Sequence, residues 1–408
     1  MLKRIGLDQL RLGMYVQEIP GSWMNHPFWR GSFKLDKQDD LKTLRNSNID
    51  QILIDTSKGH DILVEKATPP TPMPANHTVE KLKPPIPAKI AIHVAAAQER
   101  VVATRILSAS TQTVMAMFNE VRMGKAFDVQ QALPVVQEIT ASVSRNAGAL
   151  ISLARLKATD DYTYMHSVAV CALMVSLAHQ LGLSADETRQ AGLAGLLHDI
   201  GKMAIPADIL NKPGKLTDDE FTSIKTHSQA GHDMLCSVDG IGDAALDVAL
   251  HHHEKIDGSG YPFNLKGAQI SLMAKMGAVC DVYDAITSAR PYKPGWEPGH
   301  SIKRMANNQG HFDDRVLEAF IKSVGIFPTG ACVQMQSGKV GIVVDQHPGS
   351  LLTPKVKVFF STLTSATIPL ELIDLATTRS GDKIISHADP VKMNLPGLEA
   401  VWASAQLN

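Results

Sequence analysis

Seven residues spread over little more than a hundred positions carry side chains suited to one task. They are His166, the adjacent His198 and Asp199, His227, the adjacent His252 and His253, and Asp281. Imidazole is a borderline ligand and carboxylate a hard one, so this mixture suits first-row divalent ions and not thiophilic ones. Several ligands of both kinds in one bundle suffice for two ions that share a carboxylate bridge. Such a centre makes a metal hydroxide and clamps a phosphate. Two features stand beside it. His198-Asp199 runs directly into Gly201-Lys202, and the turn Asp257-Gly258-Ser259-Gly260-Tyr261-Pro262 closes the run His251-His252-His253-Glu254.

The chemistry constrains the backbone. On a regular helix the side chains of His198 and Asp199 diverge by about a hundred degrees. They reach one ion together only near a helix end, where Gly201 is expected to loosen the chain. A bridging Asp199 uses two oxygens on two ions, which an amide cannot do. Lys202 follows Asp199 by three residues and lies on the same helix side, placing its ammonium for a phosphate oxygen. Asp284 is three residues after Asp281 and is expected to relay a proton to the leaving oxygen. Gly258 and Gly260 permit positive φ and close approach of backbone to a ligand. A purely structural reading of the seven ligands would bury several unpaired polar groups in one core, which is costly. Isolated histidines such as His179, His232 and His251 are read as surface or satisfied groups.

The elements that must hold these residues are mostly helical, and the expected fold class is mainly α. Residues 148–325 form the candidate catalytic domain. Within it Gly182 ends one helix and Ser184 with Glu187 forms a capping box for the next. That helix carries Leu193, Leu196, Leu197 and Ile200 on one face. Thr217 with Glu220 is a second capping box, opening the helix that bears His227. Ahead of this domain, residues 89–147 read as connecting helices, one long and one following Asp128, with Pro134 tolerable only near its first turns. Residues 67–88 are a linker, because seven prolines fall between Pro69 and Pro87 and such a tract continues neither a helix nor a central strand. Residues 1–66 form a small α/β domain with strands at Met14–Ile19 and Gln51–Ile54. Between them Asp36 caps a helix carrying Leu41 and Leu44, and Trp23, Pro27, Phe28 and Trp29 form an aromatic loop. Residues 326–408 switch to period two: Val333 and Met335, a turn at Ser337-Gly338, then Val340, Ile342 and Val344, with a further strand at Val356, Val358 and Phe360. They form a β-rich appendage without a site of its own.

Composition narrows the function classes. The 408 residues hold 40 basic and 41 acidic side chains, a net charge of -1. No bulk field exists for a nucleic acid polymer or an anionic membrane, so an anionic substrate must be met by local cations. Cys171, Cys236, Cys280 and Cys332 lack CxxC spacing and read as buried hydrophobes in a reducing compartment. The N-terminus has no apolar signal core, and the longest apolar run, Val168 to Ala178, is about half of the ~20 residues of a membrane span. A cytoplasmic protein without a membrane span is expected.

The strings HDIGK (His198 to Lys202), HHEKIDGSGYP (His252 to Pro262) and TSARPYK (Thr287 to Lys293), with Asp281 between the last two, resemble the HD-GYP branch of the HD-domain phosphohydrolases. The segment before residue 66 is similar to a small domain of unknown function often found ahead of HD-GYP domains. The resemblance implies an HD-type helical bundle that hydrolyses cyclic di-GMP to linear pGpG by attack of a metal-bridging hydroxide on phosphorus, with further cleavage to GMP left open. It assigns one ion to His166, His198, Asp199 and Asp281, and a second to Asp199, His227, His252 and His253. It further implies that Arg290 and Lys293 contact the phosphates, and that the turn with Gly260 and Tyr261 meets the nucleotide, Tyr261 by stacking on guanine. The same turn is thought to meet GGDEF-type signalling proteins. Whether the long helix forms a homodimer is left open.

One departure bears on metal number. Some members carry a glutamate one helical turn before the first histidine to hold a third metal; here that position is Tyr162, and Asp160 and Asp161 point elsewhere on a regular helix. Two divalent transition ions per chain are expected, iron or manganese first, with nickel, cobalt or zinc able to occupy the site. The alternatives are a catalytically weak cyclic di-GMP sensor or scaffold, and a hydrolase of a related cyclic dinucleotide.

Overall fold

The computed structural model describes residues 2–18, 33–36, 38–45, 51–61, 94–125, 128–155, 162–212, 214–288, 295–347, 350–378, 381–390, 393 and 395. The aromatic loop of Trp23, Pro27, Phe28 and Trp29, and the proline-rich segment 67–88, lie outside these residues. The chain divides into two compact units, residues 1–91 and 92–408.

The first unit is a small sheet with a helix. Strands β1 (Leu2–Gly6), β2 (Tyr15–Glu18), β3 (Phe33–Lys34) and β4 (Gln51–Asp55) pair antiparallel in the order β1-β4-β2-β3. The helix α1 (Gln38–Arg45) buries Leu41 and Leu44 beside Ile5, Val16, Ile52 and Ile54. The buried strand residues and the two leucines of the helix therefore face one core.

The second unit is a helical bundle followed by a sheet. Helices α2 (Ala96–Arg122) and α3 (Val129–Ala154) precede α4 (Tyr162–Leu181) and α5 (Ala185–Leu197). Asp128 caps α3, its side chain accepting from the Gln130 N–H. Ile106, Val114, Phe118, Val136 and Ile139 of the first two helices share one core with Val168, Cys171, Val175, Leu196 and Leu197. The α2–α3 pair is thus built into the bundle. Both capping boxes form, Ser184 with Glu187 and Thr217 with Glu220. They open α5 and α7 (Asp218–Lys225), the latter preceded by the short α6 (Ala207–Leu210); the Thr217 box therefore does not open the helix that bears His227, which starts anew after Thr226. The bundle continues with α8 (His227–Cys236), α9 (Asp243–His251), α10 (Leu272–Thr287), α11 (Pro298–Asn307) and α12 (Asp314–Val324).

Helix α4 is apolar on every side because α2, α3, α5, α10 and α12 all pack on it. By length and composition alone it would suffice to cross a membrane, which the shorter run Val168 to Ala178 had not suggested. Yet 72% of that window is buried inside the bundle, as expected of a core helix.

The C-terminal strands β5 (Cys332–Met335), β6 (Lys339–His347), β7 (Ser350–Ser361), β8 (Ala366–Asp374) and β9 (Ile384–His387) form one antiparallel sheet in the order β8-β7-β6-β5-β9. The hairpin expected around Ser337-Gly338 is β5–β6, with Gly338 at φ +78°. This sheet is tied to the bundle: Arg100 donates to the Val344 carbonyl at 2.6 Å, and Asn146 donates to Asp345 at 3.2 Å.

Candidate metal centre

The seven candidate ligands come from five places that the helices bring together. His166 sits one turn into α4. His198 and Asp199 directly follow α5, and Asp199 leaves helical geometry (φ -103°, ψ 10°) to begin a 3-10 turn over Ile200–Ala204. This departure lets adjacent side chains serve one site. His227 opens α8, His252 and His253 follow the last residue of α9, and Asp281 lies within α10.

Asp199 is at the centre. Its Oδ2 lies 3.3 Å from His198 Nε2 and 3.5 Å from His166 Nε2, while Oδ1 lies 3.5 Å from His227 Nε2 and 3.8 Å from His252 Nε2. One carboxylate thus turns each oxygen to a different histidine pair. Asp281 places Oδ1 3.0 Å from His166 Nε2 and 3.9 Å from His198 Nε2, and Oδ2 3.9 Å from His253 Nδ1. Ligand atoms of His166, His198 and Asp199 lie within 4.8 Å of one another, and so do those of His227, His252 and His253.

The backbone fixes the rings. Nδ1–H donates to the Gly195 carbonyl from His198 (2.8 Å), to Ile224 from His227 (2.6 Å) and to Val248 from His252 (2.8 Å). His166 makes the equivalent bond to a carboxylate, Asp284 Oδ2, at 2.6 Å. All four Nε2 lone pairs therefore point inward, the arrangement in which a metal-binding imidazole is normally held. Burial lowers the His227 and His252 pKa values, the latter further through His253 and His198, and burial brings His253 to about 3. Neutral imidazoles are the ligating form. Burial would push Asp199 up, but its electrostatic interactions with the neighbouring His198 and Lys202 override it and hold the carboxyl well below the usual range. His198 Nε2 and Asp199 Oδ1 are buried without a hydrogen-bond partner among the described residues. Leaving such atoms unpaired costs about 1–3 kcal/mol each, a cost a divalent cation removes. The donor set fits metal.

Two expectations change. Gly201 does not act by loosening the chain. A Cβ there would collide with the His227 carbonyl oxygen and the Gly231 backbone nitrogen, so the missing side chain is what admits α8 and its His227. Asp284 does not face a leaving group. Its carboxylate is buried behind His166, on the ring nitrogen opposite the one beside Asp281, and also accepts from Ser288 Oγ at 3.2 Å. The i, i+3 spacing from Asp281 was visible in the sequence; the direction of the side chain was not.

On the open side, Lys202 forms an ion pair with Asp199 Oδ2 and keeps its side chain 23% exposed. Tyr261 stacks on His253, with ring centroids 4.7 Å apart and planes at 30°. Gly258 has φ +82°, whereas Gly260 is required by proximity: a Cβ there would run into the backbone of Glu254 and Lys255. Buried Glu254 secures the turn by accepting from Phe263 N (2.7 Å) and Leu265 N (3.0 Å). His251 points elsewhere, donating to Asp247 at 2.8 Å. Arg290 and Lys293 lie outside the described residues.

The same residues define the class. Residues 140–316 match the HD domain, and residues 2–132 match a domain of unknown function, DUF3391. The chain belongs to the HD-GYP branch of the HD-domain metal-dependent phosphohydrolases. It is 51% identical over 408 positions to a cyclic di-GMP phosphodiesterase of Pseudomonas aeruginosa, covering 98% of this chain and 96% of that relative. It is 38% identical over 168 residues to a 3'3'-cGAMP-specific phosphodiesterase of Vibrio cholerae, covering 41% of this chain and 39% of the relative. Among solved structures, an HDG"Y"P protein from Bdellovibrio bacteriovorus aligns at a TM-score of 0.46 and 16% identity, covering 79% of this chain and 99% of that one.

Proposed function

We propose that this protein hydrolyses cyclic di-GMP, releasing linear pGpG first and GMP where a second cleavage follows. The observation that carries the reading is the division of the Asp199 oxygens between two histidine pairs, in a chain 51% identical over nearly its whole length to a cyclic di-GMP phosphodiesterase. In this reading His166, His198, Asp199 and Asp281 hold one divalent ion, and Asp199, His227, His252 and His253 a second. Iron or manganese is the first choice, and nickel, cobalt and zinc also suit the ligands. When bound, such ions supply Lewis acidity and acidify water at neutral pH.

The chain's own groups do the rest. Lys202, tethered to Asp199 and partly exposed, offers its ammonium to a non-bridging phosphate oxygen. Tyr261 presents its ring to guanine while the turn at Gly260 keeps the backbone close; Arg290 and Lys293 add phosphate contacts. Asp284 keeps the His166 ring in one tautomer with Nε2 inward. Residues 148–325 are the catalytic domain, joined by the 89–147 helices, with 1–66, the 67–88 linker and the 326–408 sheet appended. The four cysteines are free thiols, three buried as expected and Cys236 exposed, which fits a reducing, cytoplasmic location. Exposed Phe263 beside the Tyr261 turn suits a GGDEF-type partner, and exposed Val101 on α2 with Met123 just past its end suits a homodimer.

The test is to load the protein with iron or manganese, incubate it with cyclic di-GMP and resolve the products by chromatography. Appearance of pGpG is expected. Binding without turnover would instead support a sensor or scaffold. The likeness to a 3'3'-cGAMP phosphodiesterase favours one second reading, a preference for a mixed cyclic dinucleotide, which the same assay decides by comparing kcat/KM for the two substrates.

A further inference from the structure

We infer that the turn Asn308–Phe312, fifty residues downstream of the Tyr261 turn, is a brace that sets Tyr261 over the His253 ligand, with His311 its positioning residue. The inference rests on the phosphodiesterase reading for its kinetic consequence but not for its structural one. Two backbone bonds join the turns: Ile256 N–H donates to the His311 carbonyl at 3.2 Å, and Asp257 N–H to the Gly310 carbonyl at 2.9 Å. They engage the entry to the Gly258 turn, whose exit Glu254 already holds through Phe263 and Leu265. Between these holds the Tyr261 N–H donates to the His253 carbonyl at 3.2 Å, and its ring stacks on that histidine. A turn held at one end pivots, and one held at both ends keeps its aromatic ring in place.

The brace is itself rigid. Gly310 has φ +82°, and a Cβ there would lie 3.0 Å from Asp257 Oδ2 and 3.1 Å from Asp257 Cβ. The Asn308 side-chain amide donates to His311 Nδ1 at 2.9 Å. The His311 ring stacks on Phe312 at 4.1 Å with planes 9° apart, and Phe312 is buried. The next residue, Asp313, caps α12 and pairs with Lys275 of α10 at 3.3 Å. The turn is therefore fastened to the helix that carries Asp281. Burial, and then the Lys255 charge, lowers the His311 pKa to about 4, while Asp257 and Asp281 lie close enough to oppose the shift.

The experiment compares wild type, His311→Ala, His311→Gln and Gly310→Ala, each checked for metal content and melting temperature. Amide hydrogen exchange over residues 254–263 and steady-state kinetics on cyclic di-GMP are the readouts. In His311→Ala and Gly310→Ala, exchange in that segment should rise and KM should rise roughly 10-fold or more, with kcat and metal content preserved, because a displaced binding group weakens positioning. His311→Gln keeps an acceptor for the Asn308 amide and should restore both. Unchanged exchange overturns the brace, and so does faster exchange with unchanged KM. Loss of metal in His311→Ala would overturn it in favour of a general structural role. If wild type turns over no cyclic di-GMP while exchange rises as expected, the functional reading fails and the brace stands.

Discussion

The Nδ1–H of His166 donates to Asp284 across 2.6 Å, while the opposite ring nitrogen lies 3.0 Å from Asp281. Two carboxylates one helical turn apart on α10 thus grip one imidazole from both sides, one able to ligate and one to orient. Asp284→Asn is expected to lower metal affinity and activity about 10 to 100-fold, the range for losing a partner that orients a ligand, with the fold retained. Metal titration and melting temperature check this. Full metal occupancy combined with an altered pH–rate profile would instead restore a proton-transfer role for Asp284.

Asp199→Ala should remove both hydrolysis and bound metal, because its two oxygens face both histidine pairs. His198→Ala should lose activity together with the metal beside His166. Elemental analysis of the purified variants is the measurement. Normal occupancy and turnover in Asp199→Ala would end the bridging assignment.

Lys202→Ala is expected to keep its metal and lose roughly 10 to 1000-fold in rate, as when one charge-stabilising donor is taken from a transition state. Its ammonium is close to Asp199 yet partly exposed, a position suited to meeting a phosphate. Wild-type turnover in this variant would reduce Lys202 to a counter-ion of Asp199.

Metal number is addressed by Tyr162, whose ring lies parallel to His166 with centroids 6.1 Å apart. About two transition ions per chain are expected in the wild type purified anaerobically, and Tyr162→Glu should recruit a third by placing a carboxylate one turn from His166. Elemental analysis and anomalous scattering give the count. Three filled sites in the wild type would mean that another residue, Asp160 or Asp161, supplies the missing ligand.

Much of the site was legible because its chemistry is written in residue types that a helical core otherwise avoids. Both capping boxes and the Ser337-Gly338 hairpin follow from local spacing, and the seven candidate ligands were marked by residue type. Directions set by tertiary packing were not legible. Asp281 and Asp284 share a helix face by periodicity, yet Asp284 passes behind the ring because His166 enters from α4. Gly201 was legible as a special residue but not for its reason, since the backbone it admits belongs to α8, nearly thirty residues away. The contact between Asp257 and Gly310 had no local signal at all; it joins two turns more than fifty residues apart.

Helix α4 has a consequence for how the chain is made. A ribosome delivers it as a twenty-residue apolar segment when only α2 and α3, among the helices that pack on it, already exist. The helices that complete its burial, α10 and α12, begin some ninety and more than one hundred and thirty residues later. At about 5–20 residues per second, α10 arrives roughly 5–20 s behind α4. Vectorial synthesis therefore leaves the segment bearing His166 incompletely covered, with α5, starting four residues after it, joining the early shelter that α2 and α3 give. An N-terminal truncation that removed them would fail during synthesis, before any question of catalysis arose.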